Sequence, residues 1–136
     1  MAIVVTGAAG FIGFNVSRLL LERGEDVIGI DNINDYYNVN LKKARLAEIN
    51  DNPNFTFLKL DFSNFEGLKS ALDQHKVTKV IHLGAQAGVR YSLTNPFVYA
   101  QSNLIGHLNI MEYCRHREGF EHLVYASSSS VYGGAE

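Results

Sequence analysis

Apolar positions along the chain follow two rhythms, one of short β-branched runs and one of helical repeats, and they alternate from the first residue onward. Ile3–Thr6 is a β-branched run closed by Gly7, and Phe11–Arg23 places Phe11, Ile12, Val16, Leu19 and Leu20 at helical spacing. The spacing predicts a strand, a tight turn and a helix that Gly24 closes at the C′ position. Asp26–Ile30 reads as a second strand ending at Asp31, and Asn32 to Asn38 as a polar loop carrying Tyr36 and Tyr37. Val39–Ile49 then reads as a helix with Leu41, Leu46 and Ile49 on one side. Beyond a loop punctuated by Pro53, Phe55–Leu60 alternates as a third strand ending at Asp61. Ser63 or Asn64 caps the helix that follows, which runs to about His75. Lys79–Leu83 is a fourth strand, apolar on both faces. Pro96 suits the first turn of a long helix reaching about Arg117, and His122–Ala126 is the fifth strand.

Strands that alternate with helices and are apolar along most of their length imply a parallel sheet covered on both faces. Right-handed crossovers give the order 3-2-1-4-5, so the expected fold is α/β, a Rossmann-type doubly wound sheet forming one domain over residues 1–136 and breaking off after the fifth strand. Composition agrees with this picture. A chain of 136 residues with 46% hydrophobic and 19% charged residues fits a single globular domain, and a formal net charge of -2 provides no general attraction to nucleic acid or anionic membrane. The apolar start Met1–Val5 breaks at Gly7, far short of the ~18 residues of a membrane helix. Cys114 is the single cysteine, so no intrachain disulfide forms; it reads as a small buried helix residue in a protein compatible with a reducing cytoplasm.

Chemistry enters where the first strand turns into the first helix, in Thr6-Gly7-Ala8-Ala9-Gly10-Phe11-Ile12-Gly13. Gly7 can turn tightly, Gly10 lets backbone approach a pyrophosphate, and Gly13 lets helix and strand pack closely, while the helix N-terminus supplies N–H groups for an anion. Asp31 lies 18 positions beyond Gly13 at the end of the second strand. A carboxylate there accepts hydrogen bonds from an adenosine ribose 2′-OH and repels a 2′-phosphate, which favours NAD over NADP. Asp61 either reaches the adenine amino group or caps the next helix. Leu83-Gly84-Ala85-Gln86-Ala87-Gly88 offers small residues that suit backbone pressed against ribose and phosphates. The cofactor set read from these segments is Gly7, Ala9, Gly10, Phe11, Ile12, Gly13, Asp31, Asn32, Asp61, Phe62, Leu83, Gly84, Ala85 and Gln86. The histidines, His82 included, lack metal-ligand spacing and read as packing or surface residues.

These motifs resemble the N-terminal part of the extended short-chain dehydrogenases/reductases, the NAD-dependent epimerases and dehydratases whose cofactor motif is Thr-Gly-x-x-Gly-x-x-Gly. Within that family the chain is most similar to the UDP-glucuronate 4-epimerases. The narrower resemblance rests on Asp31–Tyr37 with Leu41–Leu46, on Ala85–Ser92, and on Tyr125–Gly133, which holds the run Ser127–Ser130 before Val131-Tyr132-Gly133. Gly84 stands where the family usually has alanine, with no functional consequence expected.

The resemblance implies NAD held tightly and a nucleotide-sugar substrate, UDP-glucuronate, oxidised transiently at C4 and reduced again on the other face. It implies that Ser128 hydrogen-bonds the reacting oxygen, with Ser127 and Ser129 as neighbours that strand alternation points differently. It also implies that Asn103, inside the long helix, supports the site through backbone and water contacts, a helix-surface amide being the other reading. Arg90 is a candidate for a substrate phosphate or carboxylate. The family's base is a Tyr-x-x-x-Lys pair, and four places after the seven tyrosines stand Asn40, Leu41, Asn95, Asn103, Arg117, Ser129 and Glu136. Tyr113 with Arg117 is the nearest imitation and reads as surface or interface, since arginine does not titrate.

Three functional readings follow. The first is the NAD-binding part of a 4-epimerase, inactive alone because the tyrosine and lysine are missing. The second is a cofactor-binding or oligomerising module without turnover. The third, a 4,6-dehydratase fragment, is weakened because Ser129 and Ser130 occupy the places of that enzyme's Asp-Glu. A homo-oligomer is expected through the long helix, where Leu104, Leu108 and Met111 form an apolar stripe.

Overall fold

In the computed structural model, which describes residues 1–134, the β-branched runs form β1 (Ala2–Thr6), β2 (Asp26–Asp31), β3 (Phe55–Lys59), β4 (Val77–His82) and β5 (His122–Tyr125). Ala135 and Glu136, the end of the expected domain and the fourth place after Tyr132, lie outside the described residues. All pairings are parallel, and the order is β3-β2-β1-β4-β5, the expected doubly wound α/β sheet. Strand alternation divides the core between the two faces. Ile3, Val5, Val27 and Phe55 pack on one face against Phe14, Leu20 and Leu21 of α1 (Phe11–Glu22) and Leu46 and Ile49 of α2 (Val39–Ile49). Val4, Ile28, Ile30, Val77 and Val80 pack on the other against Leu68 and Leu72 of α3 (Phe65–Leu72) and the C-terminal half of the long helix.

That long helix is the main departure from expectation. It runs as α4 (Pro96–Tyr99), a wider π-helical segment over Ala100–Ile105, and α5 (Gly106–His116), stopping one residue before Arg117. Periodicity cannot reveal a change from four-residue to five-residue hydrogen-bond spacing. Just past it, a Cβ built on Gly106 would lie 2.4 Å from the Phe62 ring, so the helix passes this ring at backbone distance.

Several ends also differ from the sequence reading. The third strand stops at Lys59, one residue before Leu60. The fourth strand begins at Val77, because Val77 pairs with Ala2 across an irregular register step. It ends at His82, because the next N–H, on Leu83, turns to the Thr6 hydroxyl instead of the ladder. α3 stops at Leu72 rather than near His75, and Arg117 holds the turn beyond it by donating to the His75 carbonyl and to Asp73. Of the two candidate caps it is Asn64 whose side chain accepts from Gly67 N–H. The fifth strand ends at Tyr125 rather than Ala126, although Ala126 N–H still donates to the His82 carbonyl.

Cys114 is buried, and burial pushes its thiol up to about 11, as a packing residue requires. Tyr113 corrects the expectation of a surface residue: it is buried on the inner stripe with Ile110 and Cys114, beneath the Arg117 guanidinium at 6.0 Å. No helix among the described residues is long and apolar enough to cross a membrane.

Leu68 and Leu72 have no exposed surface. Leu72→Ala is expected to lower unfolding free energy by about 2–5 kcal/mol in urea titrations, the range for a buried leucine that leaves a cavity. A loss below about 1 kcal/mol would show that α3 is not a rigid part of the core.

Candidate functional site

A doubly wound sheet opens a crevice where its strand order reverses, outside the carboxyl ends of β1 and β4. A cavity of about 640 Å³ lies there, within the roughly 300–1,000 Å³ span of ligand cavities. Of the residues expected to hold a cofactor, Gly7, Gly10, Phe11, Ile12, Gly13, Asp31, Asn32, Asp61, Phe62, Leu83, Gly84, Ala85 and Gln86 all line it. Ala9 and Asn103 stand behind the wall.

The glycine turn is built by close approach. Gly7 has φ +70°, and a Cβ on Gly13 would lie 2.0 Å from the Gly7 carbonyl oxygen, so α1 starts in contact with the backbone it follows. Gly10 is the N-cap residue of α1, with no side chain capping the helix and no acidic residue in its first turn. The positive end of a 12-residue helix therefore faces the cavity with its first-turn N–H groups uncapped. This arrangement fits a pyrophosphate, because the uncapped N–H groups and the positive end of the helix meet the anion, and the missing side chain at Gly13 is what lets α1 start against Gly7.

Thr6 ties this turn to the loop after β4. Its hydroxyl oxygen accepts from Leu83 N–H at 3.0 Å and Gly84 N–H at 2.9 Å, and it lies 2.7 Å from His82 Nδ1. Both lone pairs being occupied, the hydroxyl donates its proton to Nδ1, and the hydrogen-bond pattern assigns the imidazole proton to Nε2. Burial, helped by the charge of His107, pushes His82 down to about 4. The ring sits edge-on to Phe62 at 5.0 Å, and a Cβ on Gly84 would meet that same phenyl at 2.5 Å. A glycine at this place thus has a packing consequence the sequence did not reveal.

Asn103, in the π-helical segment, donates to the Gln86 carbonyl at 3.0 Å and accepts from Gln86 N–H at 2.8 Å. Of its two readings, the backbone support is the one the structure adopts. Asn109 does the same one layer deeper, donating to the carbonyls of Phe62 and Ser63, and sequence reasoning missed it. Asp61 accepts from Ser63 N–H at 2.9 Å in a local turn while lining the cavity. Asn64 takes the capping role.

At the far end of the cavity Asp31 is buried, with Oδ2 accepting from Ala9 N–H at 3.1 Å and Oδ1 from Ile33 N–H at 2.8 Å. Lys42 and Arg45 also line the wall, and Arg45 donates to the Ala9 carbonyl at 3.2 Å. Sequence reasoning missed both cations, although their spacing of three places them on one face of the helix after the Asp31 loop. It also missed a row of tyrosines. Tyr36 packs against Tyr37 at 4.8 Å and Tyr91 at 5.0 Å, and Tyr99 continues the row at 6.2 Å, joining the loops on either side of the cavity.

The opposite end is looser. Ala126 lines the cavity, whereas Ser127, Ser128 and Ser129 are exposed beyond β5 and stand outside the wall. Because β5 ends at Tyr125, strand alternation does not orient the serines: Ser128 Oγ accepts from Ser130 N–H at 3.2 Å, and Ser129 begins a 3₁₀ turn. Arg90 is exposed in a separate 3₁₀ turn and does not line the cavity. Tyr113 is no base, since burial pushes it up to about 12 and it lies away from the cavity. Among the described residues no group of His, Cys, Asp and Glu is placed to hold a metal ion.

Comparison with known proteins agrees with this geometry. Residues 4–136 match the GDP-mannose 4,6 dehydratase family. The chain is 54% identical over 134 residues to an uncharacterised protein of Methanocaldococcus jannaschii, covering 97% of this chain and 41% of that protein. It is 48% identical over 131 residues to UDP-glucuronate 4-epimerase of Thermodesulfobacterium geofontis, covering 96% and 40%. The structure of UDP-glucuronic acid 4-epimerase from Bacillus cereus, in complex with UDP-glucuronic acid and NAD, superposes with a TM-score of 0.89 at 33% identity, covering 100% of this chain and 43% of that one. The chain thus spans about 40% of the length of these curated relatives.

The buried His82 makes stability depend on pH. The unfolded chain protonates this imidazole near 6.5 and the folded chain only near 4, so its contribution is complete above about 6.5, falls as pH drops through that window and is gone below about 4. The shift corresponds to a contribution on the order of 3 kcal/mol. Urea unfolding at pH 7.5 and pH 4.5 should show a larger drop for the unchanged chain than for His82→Gln. Equal drops would refute the assignment.

Proposed function

The chain belongs to the GDP-mannose 4,6 dehydratase family of extended short-chain dehydrogenases/reductases, and from that premise we propose that it is the NAD-binding part of a nucleotide-sugar 4-epimerase acting on UDP-glucuronate. One observation carries the reading: the glycine turn, the uncapped start of α1 and Asp31 converge on a single cavity at the strand-order reversal. Gly10, Phe11, Ile12 and Gly13 take the pyrophosphate, Asp31 and Asn32 the adenosine ribose, and Asp61 and Phe62 the adenine. Leu83, Gly84, Ala85 and Gln86 flank the other ribose, with Asn103 holding their backbone. The relatives named UDP-glucuronate 4-epimerase and the neighbour solved with UDP-glucuronic acid and NAD support the substrate and cofactor classes.

When bound, NAD supplies the hydride acceptor and donor for C4 of the sugar. Ser128 is assigned to the C4 oxygen, with Ser127 and Ser129 beside it and Arg90 a candidate for an anionic group of the substrate. No tyrosine of the chain is followed four places later by lysine, so proton transfer at C4 is assigned to groups outside these residues. The 4,6-dehydratase reading has the matching family model behind it but not the chemistry, since the hydroxyls of Ser129 and Ser130 are poor acids and bases for removing water. A reducing, cytoplasmic setting accords with the free Cys114.

A homo-oligomer is proposed on the stripe of the long helix, where Leu104, Leu108 and Met111 remain 67%, 48% and 41% exposed. Light scattering of the chain should give at least twice the 15.1 kDa of one copy, and a clean monomer at micromolar concentration would count against it.

The central test is calorimetry with NAD. The 136-residue chain is expected to bind NAD and to leave UDP-glucuronate unconverted when both are supplied. Absence of NAD binding at millimolar ligand would overturn the cofactor reading, and conversion to the 4-epimer would overturn the division of roles.

A further inference from the structure

The loops that flank the glycine turn meet above it. In the order β3-β2-β1-β4-β5, β1 lies between β2 and β4. Any contact between the loop after β2 and the loop after β4 therefore crosses the turn that follows β1. Tyr36 makes that contact from the first loop. Its ring packs at 5.0 Å on Tyr91, in the 3₁₀ turn Arg90–Leu93, and its hydroxyl fills the place that a Cβ on Gly88 would take. Gly88, at φ +92°, is thus a socket for the phenol. Tyr36 and Ala87 both line the cavity, so the bridge borders the crevice itself.

The two halves of the bridge are held differently. The Gly88 half is tied to the long helix: Asn103 grips Gln86, and the Tyr99 hydroxyl shares its proton between the carbonyls of Ala87, at 3.0 Å, and Gly88. The Tyr36 half is tied only at its root. There Asn34 accepts from the Lys42 ammonium, the Asn38 side chain caps α2, and Ile33 packs against the core at φ +54°, a conformation that a β-branched residue avoids unless its surroundings impose it. Among the described residues no hydrogen bond reaches Asp35, Tyr36 or Tyr37, so ring packing holds the tip. We propose that Tyr36 is a latch: docked on Gly88 and Tyr91 it closes the space above the glycine turn, and the tip swings out between Asn34 and Asn38 for a dinucleotide to enter or leave. This rests on the NAD reading above and adds to it the step that limits exchange.

Stopped-flow fluorescence of NADH reads both directions, association on mixing with the 136-residue chain and release on chasing with excess NAD. The variants are Tyr36→Ala, which removes the latch, and Tyr91→Ala, which removes its partner ring and alters no residue of the cavity wall. An aromatic pair corresponds to a factor of up to roughly tenfold in an equilibrium. Each variant should free the latch by about that factor, so association and release should both accelerate several-fold, while affinity changes less than release does. The double variant should be about as fast as the quicker single one, because one bridge is removed twice. Either variant carries the test if circular dichroism shows the other unfolded. Faster release with association unchanged would make Tyr36 an ordinary binding contact and overturn the latch, and so would rates in the folded variants equal to those of the unchanged chain. In both cases the NAD reading stands. No NADH binding to the unchanged chain would remove both.

Discussion

The hydroxyl of Thr6 fixes the crevice on which every functional assignment depends. β1 and β4 pair as far as Thr6 and His82, and from there the chain leaves them toward opposite faces of the sheet, so the ladder does not hold the two segments that follow. Thr6 closes that gap by accepting from Leu83 and Gly84 N–H and donating to His82. A threonine suits this place because its β-branched body belongs to the strand and its hydroxyl can serve three partners at once. The bond to His82 then requires a neutral imidazole, and burial keeps it neutral.

Helix asparagines carry the same logic outward. Asn103 grips both backbone groups of Gln86, and Asn109 holds the carbonyls of Phe62 and Ser63. The two loops that form the cavity's floor thus have their backbone groups satisfied by one long helix instead of by neighbouring strands. Such loops keep their shape without regular structure, since an unpaired backbone group away from water is costly. The π-helical segment Ala100–Ile105 contains Asn103 and precedes Asn109, so the local change of pitch belongs to this support.

The fold was legible because it rests on burial periodicity. Val4 facing one side and Ile3 and Val5 the other is a two-residue rhythm that any parallel strand must obey, and the glycine turn is forced by steric contact at Gly13. Ends of elements were less legible, because a strand stops where a side chain captures its next N–H. Leu83 illustrates this: the residue that stops β4 is Thr6, 77 positions away. The same limit hid Lys42, which faces Asp31 across a loop, and the tyrosine row, which joins two separated segments. Tyr113 was misjudged because its burial depends on which face of the long helix meets α3.

The two ends of the crevice differ in how firmly their groups are held. Asp31 has two backbone donors, Gln86 has two bonds from one asparagine, and Thr6 has three partners, all on elements tied into the core. Ser128 has one local contact two residues away and stands exposed past an edge strand whose Val124 and Tyr125 are themselves exposed. A group that must meet a reacting oxygen needs its position set to within fractions of an ångström. On the proposed reading, cofactor capture would rest on residues the core already fixes, whereas orientation of a sugar would depend on further contacts to the serine segment. On that reading binding and turnover are separable on physical grounds.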